Sequence, residues 1–353
     1  MFVFRGEDLP ADPAFPADLE QLGYFINEND QIRKISDPDQ EFQFKINRNP
    51  RWNEVQRNAM NDKLISPECI RTIVSTRLQN LGLTPLHLPL TSGPTEPRVP
   101  ILVSRNLSSA SRIVVIFGEP PRTSASGRIA LSARTGSMPG QLIWHCAARR
   151  CVTHPTWLAL PRRSAVDPPV SMSARNEVPR NATWQDHVEC VFEDVLAARG
   201  RLVRGDARIA VIGLAEGGLG AVRYLGEKWP SWRPHINALC FASPLHFTHV
   251  DLVDSDPDDP ASFAAFVASR CRAYVLAPDP LGVPAQCSGE HGCNCYSSGE
   301  ALNNECIMPR AWRGMLEWLD SVHADPGFCE PRVVIRDVDV EVEVIGDEDE
   351  AEG

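Results

Sequence analysis

The chain has 353 residues, of which 43% are hydrophobic, and this is enough for one large domain or two smaller ones. It has no apolar run of about eighteen residues and no basic stretch before an apolar one at its start, so neither a membrane span nor a secretory signal is predicted. The net charge is -11, but residues 337–353 hold nine acids and no base, and the remaining 35 bases and 37 acids leave only -2. The average charge therefore says little about the affinity of the body for nucleic acid, and direct RNA binding through its arginines is the weakest of the functional alternatives.

The N-terminal part of the chain changes from strand-like to helical patterning. Residues 16–46 predict short strands separated by turns. From Pro50 to Leu81 the apolar residues recur at helical spacing, and Pro67 divides the stretch into two helices. We interpret residues 1–84 as a strand and helix lead-in to the domain that follows.

The middle of the chain alternates strands with helices. Apolar runs predict strands at 112–118, 156–161, 209–213, 236–244 and 271–282. Helical patterns lie between or after them at 140–151, 183–200 and 309–322. The alternation predicts an α/β fold over residues 85–325, with a mostly parallel sheet covered by helices on both faces. Residues 326–353 are predicted to form a disordered acidic tail.

The strand at 209–213 runs into a glycine-rich turn and a helix. In α/β-hydrolases this junction is the nucleophile elbow, Gly-x-Ser-x-Gly, whose serine attacks the substrate. Here the turn is Gly213-Leu214-Ala215-Glu216-Gly217, with a methyl group at the centre. Glu216 takes the position that would lend its backbone N–H to an oxyanion hole, where a carboxylate opposes the developing charge.

The acid and the histidine of a hydrolase triad follow the nucleophile along the chain. Asp279 follows the strand 271–282 where the acid belongs, although it also suits an Asp-Pro turn. The histidine should precede the last helix, but His291 comes too early and Asn304 stands nearer that position. Asparagine cannot shuttle a proton. We interpret these positions as remnants of a triad, and no catalytic residue is predicted.

An alternative nucleophile remains open. Ser243 and Cys240 lie at the end of the strand after the elbow, and His246 and His249 are the nearby candidates for a base. The alternative functional hypothesis is therefore a serine or cysteine hydrolase with a non-standard nucleophile.

Cysteine and histidine side chains are candidate metal ligands. Eleven cysteines, an odd number, fit reduced intracellular thiols better than a disulfide framework. The cluster Cys287, His291, Cys293 and Cys295 lacks the spacing of a zinc site, so it is a weak candidate and no metal or cofactor is predicted. His187 is interpreted as a core histidine.

The end of the chain alternates Val or Ile with charge and then becomes wholly acidic. Val342, Val344 and Ile345 precede an acidic run, a pattern that matches SUMO-interacting motifs. The competing interpretation is a solubilising acidic tail.

An ordered set of segments carries a resemblance to a known family. The block "DLEQLGYFINENDQIRKI", then "RIVVIFG", "GSMPGQLI", "WLALPR", "DHVECVFEDV" and finally "RCRAYVLAPDPLG" with "CNCYSSGE" resemble the argonaute-binding protein two domain, or Arb domain, of fungal silencing factors and their animal relatives. The resemblance covers about residues 8 to 322.

The resemblance implies an α/β-hydrolase-like fold and a partner role in nuclear silencing. It implies Argonaute in a small-RNA chaperone complex, or a class II histone deacetylase complex, as partners, and a nuclear location with a possible cytoplasmic pool. Many relatives keep a serine in the elbow and a histidine before the last helix, whereas this chain has Ala215 and Asn304. The departure favours a non-catalytic scaffold.

Overall fold

The protein is described here by a computed structural model that covers residues 12–118, 151–154 and 178–333, except 30, 41, 42, 44, 61–68 and 94. The strands are β1 Tyr24–Ile26, β2 Ile32–Lys34, β3 Leu83–Leu88, β4 Val99–Ser104, β5 Arg112–Phe117, β6 Cys151–His154, β7 Arg208–Leu214, β8 Ile236–Ala242, β9 Cys271–Val275 and β10 Asn294–Ser297. The helices are α1 Pro50–Met60, α2 Cys69–Asn80, α3 Trp184–Cys190, α4 Ala215–Trp232, α5 Thr248–Asp251, α6 Phe263–Arg270, α7 Ser288–His291 and α8 Asn304–Ala324.

The main sheet has the strand order of an α/β-hydrolase. Among the described residues it holds eight strands in the order β10-β9-β8-β7-β5-β6-β4-β3. Strand β4 runs antiparallel to both of its neighbours, and the pairs from β6 to β10 are parallel. The predicted α/β-hydrolase-like fold is confirmed, and it places the ends of β7, β8, β9 and β10 along one edge of the sheet.

Both faces of the sheet are buried, which is why its central strands are continuously apolar. Val115 and Val211 belong to the core on one face, which α4 and α6 help to cover. Val114 and Ala210 point to the other face, where they pack with the apolar side of α8. A separate cluster joins α2 to the small β1–β2 hairpin. Within the described residues, no helix combines the length and apolarity that crossing a bilayer requires.

Several predicted elements are confirmed and others need correction. Strands β5, β7, β8 and β9 lie where the apolar runs predicted them, and α1 and α2 are separate helices. Cys151 begins strand β6, although the sequence pattern made it the end of a helix. The last helix begins at Asn304, not at 309, so Asn304 is a helix residue and not part of the loop.

Four strands of the main sheet, β3, β4, β6 and β10, were missing from the prediction. Strands β3 and β4 each contain a proline, and β10 is short and polar, so none has the pattern of a buried strand. The predicted strand at 156–161 and residues 140–150 of the predicted helix lie outside the described residues. The predicted helix at 183–200 is α-helical to Cys190 and continues as a π-helix over Val191–Leu196.

The chain continues to pack against the core beyond α8. Glu330 is 5% exposed and pairs with Arg272 on β9 at 2.7 Å. Phe328 makes an edge contact with the ring of Trp318 on α8, at 6.2 Å between centroids. The packed part of the chain therefore extends past the predicted boundary at 325 to at least Val333. Residues 334–353, with Val342, Val344 and Ile345, lie outside the described residues.

Candidate functional site

The junction of β7 and α4 has the backbone of a nucleophile elbow. Leu214 is extended, with φ -111° and ψ 123°, and Ala215, the first residue of α4, has φ +44°. This left-handed conformation costs a residue with a Cβ atom about 1–2 kcal/mol. The turn is therefore kept in a strained form although its centre carries only a methyl group. In an active hydrolase the same backbone would hold the serine hydroxyl above the end of the sheet.

The glycines of the elbow are required by packing. A Cβ atom at Gly213 would lie 2.4 Å from the Cα atom of Gly218, and one at Gly217 would lie 2.5 Å from the carbonyl oxygen of Gly118. Both distances are below any normal contact, and the neighbouring atoms belong to the backbone. The absence of side chains at these two positions lets α4 approach β5 and β7 closely.

Ser243 lies next to Ala215 at the same edge of the sheet. The parallel register of β7 and β8 pairs Gly213 with Phe241 and Leu214 with Ala242. Positions 215 and 243 each come directly after the last pair, so the two residues leave the sheet side by side. Ser243 is half-buried and also has a positive φ, +52°, and its N–H donates to the carbonyl of Tyr274 at 2.9 Å. The closeness of the two turns could not be predicted from the sequence, because it depends on the pairing of β7 with β8.

The predicted acid and histidine slots are both solvent-exposed. Asp279 lies in the loop after β9, and its carbonyl oxygen accepts a 2.6 Å bond from the Ser297 hydroxyl. Asn304 is exposed at the start of α8. Neither side chain has the buried, partnered environment that holds a triad member in position.

A different carboxylate is held firmly in the loop after β10. Glu300 is 9% exposed and accepts bonds from the N–H of Leu302 at 3.2 Å and from the Asn303 side-chain amide at 3.1 Å. Arg310 forms an ion pair with it at 3.2 Å. The bond from Leu302, with the Asn303 and Arg310 contacts, lowers the pKa of Glu300. Sequence reasoning missed this residue, although a carboxylate just before Asn303 and α8 could have indicated it.

The candidate bases lie on the other side of this edge. His246 is fully buried, and burial lowers its pKa to about 4, so the imidazole is neutral at pH 7. Its Nε2 donates to the His291 carbonyl at 2.9 Å, and His291 Nδ1 donates to the His246 carbonyl at 2.7 Å. His249 is exposed. The two reciprocal bonds give His246 and His291 a structural task.

Cys240 has an environment that suppresses its reactivity. It is 0% exposed in the core under α8, and burial raises the pKa of its thiol. Phe241, whose ring contacts His246 at 5.0 Å between centroids, belongs to the core on the opposite face of the sheet. A protonated thiol without access to solvent is a poor nucleophile. Because His246 packs on the opposite face of the sheet, the geometry also gives Cys240 no partner base.

The cysteine-rich segment does not form a metal site in the described part of the chain. No group of three or more His, Cys, Asp or Glu side chains there is arranged to hold an ion. Cys287 is half-buried while Cys293 and Cys295 are buried. A contact with Cys295 and burial raise the pKa of the Cys287 thiol. His187 is half-buried and is bonded to the Asn181 side chain at 2.5 Å, and loss of contact with water lowers its pKa to about 4.

The strand order and the elbow define an α/β-hydrolase-like protein whose nucleophile position holds Ala215. The chain belongs to the Arb2 domain family, whose sequence pattern matches residues 15–137 and 135–281. The match confirms the resemblance seen in the ordered segments of the sequence. No curated protein matches the chain.

Several solved structures resemble the chain at low sequence identity. A histone deacetylase from Saccharomyces cerevisiae is 14% identical, with a TM-score of 0.41 over 71% of this chain and 96% of that chain. A thermostable esterase from Pseudomonas putida ECU1011 is 12% identical, with a TM-score of 0.32 over 77% and 94%. A bacterial heroin esterase is 13% identical, with a TM-score of 0.33 over 73% and 91%.

Proposed function

We propose that the protein is a non-catalytic scaffold subunit of a nuclear silencing complex, with Argonaute or a class II histone deacetylase complex as its partner. The observation that carries the proposal is Ala215 at the centre of an intact elbow in a chain of the Arb2 domain family. The fold keeps the backbone of the site and lacks the atom that would attack a substrate.

The surroundings of Ala215 support the absence of hydrolysis. Glu216 brings a carboxylate to the position next to the would-be oxyanion hole, where acyl transfer requires positive potential. The histidine slot is occupied by Asn304, which is exposed and cannot accept and return a proton. Glu300, the buried acid of this edge, is already committed to Asn303 and Arg310.

The partners follow from the family alone. The Arb domain resemblance implies Argonaute or a histone deacetylase complex and a nuclear location with a possible cytoplasmic pool. The tail residues Val342, Val344 and Ile345 stay a prediction for SUMO binding, since they lie outside the described residues.

Affinity purification of the tagged full-length protein from its own cells, followed by mass spectrometry, tests the scaffold role. Argonaute with a small companion subunit would support the small-RNA branch, and a histone deacetylase would support the chromatin-modifying branch. Recovery of the protein alone, or with only a small molecule bound, would contradict the proposal.

A second candidate function is hydrolysis through Ser243. Its support is the half-buried hydroxyl at φ +52°, one strand away from Ala215 at the edge where hydrolases do chemistry. Hydrolysis of p-nitrophenyl acetate by the wild type and by Ser243→Ala separates the two functions. Turnover that Ser243→Ala abolishes would support the hydrolase, whereas equal background rates would support the scaffold.

A further inference from the structure

We propose that the loops after β8, β9 and β10 form a docking surface for a basic protein segment that carries apolar side chains. The surface consists of residues 243–262, 276–293 and 298–303, which we call the apolar–acidic rim. The inference rests on the proposed scaffold function and names the surface and the chemistry of the partner.

Exposed apolar side chains are concentrated in the rim. Among the described residues, six of the ten exposed large hydrophobic side chains lie there: Phe247 (37%), Val250 (54%), Val253 (68%), Leu281 (49%), Val283 (38%) and Leu302 (82%). Single exposed apolar residues are ordinary on a protein surface. Hydrogen bonds join the three loops that carry them, and this concentration is the feature that marks an interaction surface.

The charge of the rim has one sign. Its three loops contain no Lys or Arg and eight acids: Asp251, Asp254, Asp256, Asp258, Asp259, Asp279, Glu290 and Glu300. Arg223 pairs with Asp251 at 2.8 Å and Arg310 with Glu300 at 3.2 Å, both from neighbouring helices. Six acids are left with no base in these loops, so the field attracts a Lys- or Arg-rich partner and opposes an RNA phosphate backbone.

Hydrogen bonds tie the loops of the rim to one another. The Thr248 hydroxyl donates to the Gly289 carbonyl at 3.2 Å, next to the reciprocal bonds of His246 and His291. The N–H of Ala277 donates to the Glu300 carbonyl at 2.9 Å, which joins the loop after β9 to the loop after β10. A surface ordered before binding loses less conformational entropy when a partner arrives.

The two properties together select the class of partner. Apolar side chains alone would accept many proteins, and acids alone would attract any cation. Val250 and Val253 stand next to Asp254, Asp256 and Asp258 in the sequence, so an apolar anchor and its basic flanks would reach both kinds of group at once. A basic segment with spaced apolar residues satisfies this arrangement.

Fluorescence anisotropy with three labelled synthetic peptides of equal length tests the rim on the full-length protein. One peptide contains Lys and Leu, one Glu and Leu, and one Lys and Ser. The apolar test variant is Val253→Ser with Leu302→Ser, and its control is Ile35→Ser, which changes a side chain that is 51% exposed and remote in sequence. The acidic test variant is Asp254→Asn, Asp256→Asn and Asp258→Asn, and its control is Glu20→Gln, Glu28→Gln and Asp39→Asn, all exposed.

We expect the Lys and Leu peptide to bind most tightly and each test variant to weaken it about tenfold, while the controls do not. Added salt should weaken binding to the wild type more than to the acidic test variant. Unchanged binding by both test variants would assign the peptide to the acidic residues 337–353 and overturn the inference. That result would leave the scaffold role standing, because affinity purification of the wild type tests it separately.

Discussion

At the scale of single residues, Ala215 shows that the elbow backbone forms without a serine at its centre. The positive φ of Ala215 costs about 1–2 kcal/mol and gives no nucleophile in return. Gly213 and Gly217 show the packing role of the turn, since each allows a close backbone contact that a Cβ atom would prevent. The sequence pattern of glycines predicted the turn, but their close contacts with Gly118 and Gly218 could be known only from the packed structure.

Replacing Gly217 by alanine tests the packing role of the elbow. The new Cβ atom would lie 2.5 Å from the Gly118 carbonyl oxygen, and we expect the free energy of unfolding to fall by about 2 kcal/mol. Urea denaturation measures the change. Gly226 provides the control in the same helix, since it is exposed and its Cβ atom would lie 3.6 Å from Phe263. Gly226→Ala should be neutral or stabilising by up to about 1 kcal/mol, and equal losses in both variants would contradict the packing account.

At the scale of elements, strands were predictable where burial on both faces made them continuously apolar. Strands β7 and β8 meet this condition, so their bounds follow the sequence closely. Strand β4 alternates buried and half-buried residues and contains Pro100, and β10 is too short for a period to appear. The position of Ser243 beside Ala215 could not be predicted, because it depends on the register between the two strands that precede them.

The short helices α5 and α7 are joined by a pair of buried histidines, and this junction predicts a pH dependence. The pKa of His246 falls from 6.5 to about 4 because the ring is buried, with the His291 ring and Asp251 as its charged neighbours. As the pH falls, the unfolded chain binds a proton at this side chain before the folded protein does. Stability that is present above pH 6.5 is therefore lost progressively down to about pH 4.

We expect the contribution of His246 to reduce the free energy of unfolding by about 2 kcal/mol between pH 7.5 and pH 5. Urea denaturation at the two pH values should show a smaller loss for His246→Gln than for the wild type. His249→Gln is the control, since His249 is exposed and should leave the difference unchanged. An identical pH dependence for wild type and His246→Gln would show that this histidine does not hold the junction.

At the scale of the whole molecule, the segment after α8 closes one corner of the domain. Arg272 lies over the rings of Tyr296 and Trp318, at 4.5 Å and 5.2 Å from their centroids, and pairs with Glu330. The Tyr296 hydroxyl donates to the same carboxylate at 2.8 Å. Residues 326–333 therefore belong to the folded domain, and the acidic composition further along the chain gave no sign of this.

Removing the charge of Glu330 should destabilise this corner strongly. The Glu330 side chain is 2% exposed, and Glu330→Gln would leave the Arg272 guanidinium without its counter-charge. We expect a loss of about 3 kcal/mol in the free energy of unfolding, measured by urea denaturation. Asp206→Asn, which removes an exposed partner of Arg204, is the control and should leave the unfolding midpoint unchanged. A change of similar size in both variants would contradict a special role for Glu330.

The central proposal is that this α/β-hydrolase fold holds an elbow without hydrolase chemistry. Intact-mass spectrometry of the full-length protein after treatment with a fluorophosphonate tests it most directly, because the reagent attaches to activated serine hydroxyls. We predict no adduct on the wild type and none on Ser243→Ala. A stoichiometric adduct on the wild type that Ser243→Ala removes would contradict the claim and make Ser243 an active nucleophile beside Ala215.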